Sequence, residues 1–268
     1  MTSSTSTQNS VGRTFIRKAW LPVGLFAIWW ILSGIYYSSY FPPLQDILVR
    51  TWEIWVVAGG LLTDLWPSIL RVAIGFSIAL VVGVALGAIF GLMPTVERAF
   101  RPLTEAFRAV PGAALLPIAL TFFGPDETMK IFLIALASMW PIMLNTIEGV
   151  RAIHPTMGKV METFHLSSFD RFTKVFLPAA APQVFAGARI AIAISVTVMV
   201  VAEMFGTPGG VGYYIRDAQA SFRIEEMWTG LIILGIFGYV LNYLFHFMEK
   251  RVLKWHHQMV AHTQGASQ

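Results

Sequence analysis

Ser68–Gly91 reads SILRVAIGFSIALVVGVALGAIFG. Beyond Arg71 it carries no charge, and the uncharged run continues from Val72 to Val96. A helix needs about 20 apolar residues to cross the hydrocarbon core of a bilayer, so this stretch is predicted to span a membrane. Gly83, Gly87 and Gly91 recur at i, i+4 and i+8. That spacing puts them on one helical face, where small residues let two helix backbones approach closely. Close helix packing is the plain reading of the pattern.

The whole chain has the same character. Of its 268 residues, 56% are hydrophobic and 13% charged, and the mean hydropathy is +0.64. A soluble domain carries about a quarter charged residues, so the expected fold class is an all-α polytopic membrane protein. Cysteine is absent, which excludes disulfides and thiolate metal sites. The net charge of +4 fits basic cytoplasmic loops better than a nucleic-acid surface, and no nucleic-acid partner is expected.

Residues 1–18 read as a disordered, basic cytoplasmic N-terminus. MTSSTSTQNS opens it, and Arg13, Arg17 and Lys18 close it. The uncharged run Ala19–Gln45 is too long for a signal-peptide core, so an uncleaved first span is expected. Residues 19–255 read as a single transmembrane domain and 256–268 as a cytoplasmic tail.

Six segments are apolar enough to span: Trp20–Tyr40, Leu65–Leu92, Leu103–Phe123, Ile131–Val150, Gln183–Phe205 and Met227–Met248. The third is the weakest, because Pro111 and Pro117 interrupt it. Prolines within spans are tolerated where protein or a water-filled cavity satisfies the freed carbonyls, so this helix is expected to face away from lipid. Twelve basic residues, from Arg13 and Arg98 to Lys174 and Lys254, fall on one side of these spans; Arg50, Lys130, Arg216 and Arg223 fall on the other. The positive-inside rule then puts both termini in the cytoplasm of a plasma (inner) membrane. Most tryptophans, Trp55 among them, fall near span ends, as an aromatic belt requires. Between the first two spans, Leu44, Ile47, Leu48, Thr51, Trp55 and Val56 form a helical stripe, with Asp46, Arg50 and Glu53 off it. That pattern predicts an external helix lying on the membrane or on its own bundle.

One cytoplasmic stretch, about 151–180, departs from the apolar pattern. Glu162, His165, Asp170, Arg171 and Lys174 crowd there, with Phe164, Phe169, Phe172 and Phe176 between them. Pro155 suits a helix start. Ser167 or Ser168 can cap a second helix, with Asp170 in its first turn and Lys174 in its last. Pro178 is expected to stop it. Exposed aromatics rimmed by charge signal a docking surface; the alternative is a loop packed on its own bundle.

No catalytic constellation is present: there is no GxxxxGK[ST] phosphate loop, no HExxH and no GxSxG. The Gly-rich GTPGGVGYY follows no strand, so a nucleotide loop there is not expected. No enzymatic activity and no bound cofactor or metal is expected on this chain.

The 151–180 stretch resembles the cytoplasmic coupling loop of ABC importer permeases, E-A-A-x-x-x-G, a nine-residue spacer, then I-x-L-P. Val175, Leu177 and Pro178 match its tail; His165 stands at the Gly position; Lys159, Val160 and Met161 stand where E-A-A would. Glu162 lies three residues after the family's acid position. His is among the non-glycine residues enriched at positive φ, so His165 can take the glycine's backbone role. Ser68–Gly91, Glu97–Gly124, Gly209–Ala218 and Lys250–Trp255 carry the resemblance across nearly all of Leu44–Trp255. As a set they resemble the permeases for nitrate, bicarbonate, taurine and aliphatic sulfonates.

That resemblance implies a type I importer architecture with two permease copies, identical or as a heterodimer. It implies two cytoplasmic ATPase subunits, which hold the ATP and Mg, and an extracytoplasmic solute-binding protein. It implies coupling to the ATPase through Lys159, Glu162, His165, Ser168, Phe169, Asp170, Phe172, Leu177 and Pro178.

Arg71, Arg108, Arg189 and Glu203 stand near span ends, where long side chains reach the interface. The competing reading puts Arg108 or Arg189 on the pathway of an anion. Asn145, Thr146, Ser195 and Thr197 are then neutral hydrogen-bonding candidates, and Glu203 a further pathway candidate. Two rivals remain at this stage. An ATP-independent pore or facilitator would not need the Val175-x-Leu177-Pro178 tail. A membrane enzyme would need ligands converging at one depth, and five of the six histidines (all but His246) fall in cytoplasmic loops or the tail.

Overall fold

A computed structural model of the chain describes residues 8–36, 38–153, 157, 160–161, 163–206 and 208–255. Among them there is no β-strand, only one isolated bridge between Ser38 and Phe41. The helices are α1 (Gln8–Ile35), α2 (Leu44–Thr51), α3 (Trp66–Leu92), α4 (Pro94–Ala109), α5 (Leu116–Phe123), α6 (Glu127–Arg151), the short α7 (Ser168–Asp170), α8 (Leu177–Phe205), α9 (Val211–Ala220) and α10 (Ile224–Val252). Wider π-helical turns extend α2 (Trp52–Val57), precede α3 (Leu61–Leu65) and join α7 to α8 (Arg171–Phe176).

Helix α1 starts at Gln8, so residues 8–18, expected to be disordered, are helical; residues 1–7 and the 256–268 tail lie outside the described residues.

Among the described residues, four helical runs are long and apolar enough to cross a membrane: Leu61–Leu92, Glu127–Arg151, Arg171–Phe205 and Ile224–Val252. A fifth is possible only if a bent pair counts as one span. That pair corrects the expectation for Leu103–Phe123. Pro94–Ala109 and Gly112–Phe123 meet at 92° instead of forming one rod. Val110, before Pro111, is extended at ψ 121°, because a proline disfavours helical geometry in the residue ahead of it. The apolar part of α1, Val23–Ile35, is shorter than a full span.

Helix α6 is the centre of the bundle, packed between α3 and α8. The glycines of α3 explain how closely. Gly75, Ala79, Gly83, Gly87 and Gly91 are buried along one i+4 ridge. Facing them on α6 are Ile134, Ile142, Thr146 and Val150. A Cβ on Gly87 would stand 2.6 Å from the Thr146 Cβ and 2.7 Å from the Met143 carbonyl oxygen. The small ridge is therefore a packing face, as read from its spacing. The opposite face of α3 leaves Leu70, Ile74, Ile78 and Val81 exposed, as a lipid-facing surface requires.

The end of the bundle remote from α7 carries a cap of α2 and α9. Trp55 is fully buried there. Its indole N–H donates to Thr229 at 3.1 Å, and its ring meets Tyr214 edge-on at 5.0 Å. So Trp55 is a core residue and not a belt anchor; its partners come from α9 and α10. Leu44 and Ile47 are buried while Asp46, Arg50 and Glu53 are exposed, and the expected external helix lies on its own bundle.

Candidate functional site

Two regions carry the candidate residues: the segment between α6 and α8, and a cavity beside the α4–α5 bend. In the first, residues 157, 160, 161 and 163 are helical. His165 then turns to φ +48°, and the Leu166 N–H donates back to the Met161 carbonyl at 3.1 Å. This six-to-one bond closes the helix as a Schellman motif, with His165 at the left-handed position that glycine usually fills. His165 thus adopts the backbone conformation expected of it. Lys159 and Glu162 lie outside the described residues.

Ser167 opens the next helical run. Its hydroxyl accepts the Asp170 N–H at 3.1 Å and donates to the Asp170 carboxylate at 2.8 Å. The first of these bonds makes Ser167 the N-cap of the run. Ser168 is the first residue of α7, and Ser167 is the cap. Lys174 meets Asp170 at 2.6 Å one turn on. The Lys174 ammonium and the Ser167 hydroxyl hold the Asp170 carboxyl below its ordinary range.

The four phenylalanines divide by role. Phe169 is 75% exposed and Phe164 is also exposed. Phe172 is half-buried. Phe176 packs under the segment against Val150, Ala180 and Val184. Leu177 and Pro178 are exposed at the head of α8. Pro178 does not stop the helix, which corrects that expectation: it sits in the first turn of α8, and helix runs unbroken from Arg171 to Phe205. A π-helical turn, Arg171–Phe176, lies directly ahead of it.

The second region is an open cavity of ≈ 820 Å³. Residues 108–113 and Leu115 line it from the bend, with Trp140 and Pro141 from α6 and Ala193 and Thr197 from α8. Its lining is apolar apart from Thr197 and one charged side chain, Arg108. Arg108 also borders a smaller hollow of ≈ 220 Å³ rich in arginine and glutamate, including Glu97, Arg101 and Arg151.

The other pathway candidates lie off this cavity's lining. Asn145 spends its amide on the Pro141 carbonyl at 2.8 Å and stands against Gly187. Thr146 and Ser195 are buried and bond to backbone carbonyls of their own helices. Arg189 pairs with Glu249 of α10, which His246 approaches at 3.5 Å.

Glu203 is fully buried in a network that sequence reading missed. It accepts from Arg71 at 2.6 Å, Ser68 at 2.7 Å and the Gly212 N–H at 2.9 Å. Arg71 also takes Glu127 in a two-pronged pair at 2.6 and 2.7 Å, and Lys130 reaches Glu127 at 3.0 Å. Arg71 therefore does not reach for the interface; it ties α3, α6 and α8 to the loop before α9. The pairs lie 56 and 132 residues apart in sequence, so no local spacing announces them. Among the described residues no group of three His, Asp or Glu is placed to hold a metal.

Comparison with known proteins covers most of the chain. A family model described as the binding-protein-dependent transport system inner membrane component matches residues 79–255. A putative aliphatic sulfonates transport permease of Bacillus subtilis is 32% identical over 88% of this chain and 86% of its own length. A nitrate import permease of Leptolyngbya laminosa is 33% identical over 91% and 90%. The taurine transport system permease of Escherichia coli is 27% identical over 90% and 91%. In fold, the chain is similar to an inward-facing structure of the MetNI methionine ABC transporter. The TM-score is 0.60 at 17% identity, over 75% of this chain and 97% of that one.

Proposed function

Because the chain belongs to the family of inner membrane components of binding-protein-dependent transport systems, the permease subunits of ABC importers, we propose that it forms the pathway for a small anionic solute. Two copies make the pathway, as a homodimer or with a sister chain. A binding protein delivers solute to the end of the bundle that carries α2 and α9. Two cytoplasmic ATPase subunits grip the 163–176 segment, and both termini lie on their side. ATP and its magnesium stay on those subunits.

The observation that carries the coupling role is the build of that segment. His165 closes one helix, Ser167 starts the next, and two residues beyond these fixed points Phe169 is held outward in water. An exposed aromatic on a locally fixed backbone, ringed by Asp170 and Lys174, has the anatomy of an interface anchor. The anion preference rests on Arg108, the one charged side chain in the lining of the larger cavity, and on the nitrate and sulfonate permeases that the chain is similar to. A positive charge beside an apolar wall attracts an anion more strongly than the same charge in open water.

The test compares Phe169→Asp with the native permease at matched membrane levels. We expect the variant to fold, to lose co-purification of the ATPase, and to lose ATP-driven uptake into proteoliposomes. Full ATPase binding and uptake by Phe169→Asp would make the segment an internal packing loop and sink the coupling role.

A further inference from the structure

Two non-glycine residues among those described have positive φ, and both close a helix in the same way. One is His165. The other is Phe222, at φ +54° between α9 and α10. There the Arg223 N–H donates to the Ala218 carbonyl at 2.8 Å, the same six-to-one bond that puts Phe222 at the glycine position of a Schellman motif. For a bulky side chain this conformation is a genuine outlier. Glycine would hold the turn without strain. Nor does the ring serve a core, since Phe222 is 78% exposed.

The turn is clamped around the ring. Arg223 forms ion pairs with both Asp217 and Glu226, and Arg50 pairs with Glu53 and Glu226. Phe222 stands on the rim of an open hollow of ≈ 660 Å³, lined also by Tyr40, Arg50, Arg223, Glu225 and Glu226. These charges place the turn in water beyond the outer end of α10, because such groups are expensive to carry into hydrocarbon. The ring therefore stands outside the hydrocarbon core. A strained, solvent-exposed aromatic beside a polar rim of satisfied ion pairs has the make-up of a protein interface: a central anchor ringed by charge.

We propose that Phe222 is a docking knob for the extracytoplasmic solute-binding protein, which receives the ring in an apolar pocket and meets Glu225 with a basic side chain. The inference rests on the transport reading above, since it takes its partner from the family's dependence on a binding protein. It assigns to the turn a partner on the face opposite the ATPase. The two left-handed turns then hold side chains outward at the two ends of one rigid bundle.

The test uses the complete transporter, permease and ATPase together, in proteoliposomes. The binding protein encoded with it, loaded with its solute, is titrated outside, and ATPase rate is read. Phe222→Gly keeps the turn and removes the ring. It is expected to raise the half-saturating binding-protein concentration at least tenfold, about 1.4 kcal/mol, with maximal rate within about twofold and no loss of thermal stability. Phe222→Tyr, which keeps the ring, is expected to stay near the native half-saturation. A Phe222→Gly titration that overlays the native curve would overturn the docking role. So would a fall in maximal rate with the half-point unmoved, which would mark a gating or lipid effect. Failure of the binding protein to stimulate the native complex would bring down the transport reading itself, and the docking role with it.

Discussion

Arg71 of α3 and Glu203 of α8 meet at 2.6 Å with 6% and 0% of their side chains exposed. Their pairing, shared with Glu127, Ser68 and the Gly212 N–H, binds three spanning helices to the loop that leads into α9. Removing one member of a buried pair leaves the other charge uncompensated, at about 3–5 kcal/mol. Arg71→Met is therefore expected to lower the detergent melting temperature sharply. Glu127→Gln should cost less, because its side chain is about half exposed and Arg71 keeps Glu203. Melting followed by fluorescence-detected size exclusion orders the two variants; equal melting temperatures would contradict the network.

Gly87 has no room for a side chain, since the nearest atoms to an added Cβ include the Met143 carbonyl, which is backbone and cannot yield. Gly87→Ala is expected to destabilise by about 1–3 kcal/mol. Gly238, with nothing within 4 Å, is the control: Gly238→Ala should be neutral or stabilise by up to about 1 kcal/mol through helix propensity. Thermal melts of both variants check the contrast.

His165 holds a left-handed turn at some cost, so His165→Gly should keep ATPase co-purification and uptake near native levels. His165→Val puts a β-branched residue at positive φ, where it is strongly disfavoured. That variant should lose coupling while the spans stay folded. Equal uptake by both variants would mean that the turn geometry is irrelevant to coupling.

In the folded state the Asp170 carboxyl titrates below its ordinary value because Lys174 and Ser167 stabilise the carboxylate. A depressed carboxylate contributes stability that is fully present above its unfolded value, about 3.9, and is lost as pH falls through the folded value. ATPase co-purification is therefore expected to show no loss from this group between about pH 5 and 8. Asp170→Asn, which removes the Lys174 pair at every pH, should weaken it mildly and without pH dependence across that range.

Arg108 and Arg189, equivalent as near-span arginines in the sequence, separate in the structure. Arg108→Gln is expected to reduce uptake several-fold at unchanged protein level. Arg189→Gln should leave uptake within about twofold, since Arg189 lines neither cavity and its buried partner Glu249 still has His246 beside it. Radiolabelled nitrate and taurine uptake in proteoliposomes tests both; unchanged uptake in Arg108→Gln would remove the anion argument from this cavity.

Much of this was open to reading from the chain alone. The positive φ of His165 is expected only from the family motif whose glycine position it fills, whereas the glycine ridge of α3, the apolar runs and a helix start at Ser167 or Ser168 all depend on residues within about four positions of one another. At that range backbone geometry fixes who is neighbour to whom. The family likeness draws on the same local patterns. The right-angled bend at Val110–Pro111 was visible as two prolines but not as an angle, because a proline break leaves the direction of the next helix to its packing. Trp55 read as a belt anchor for the same reason: its burial is supplied by Tyr214 and Thr229, far along the chain. The partners of Arg71 and Glu203, and the separation of Arg108 from Ser195 and Asn145, were decided only when α3, α6 and α8 came together. A charge does not specify its partner through sequence spacing; in a low-dielectric interior it takes whichever opposite group the helix packing brings within reach.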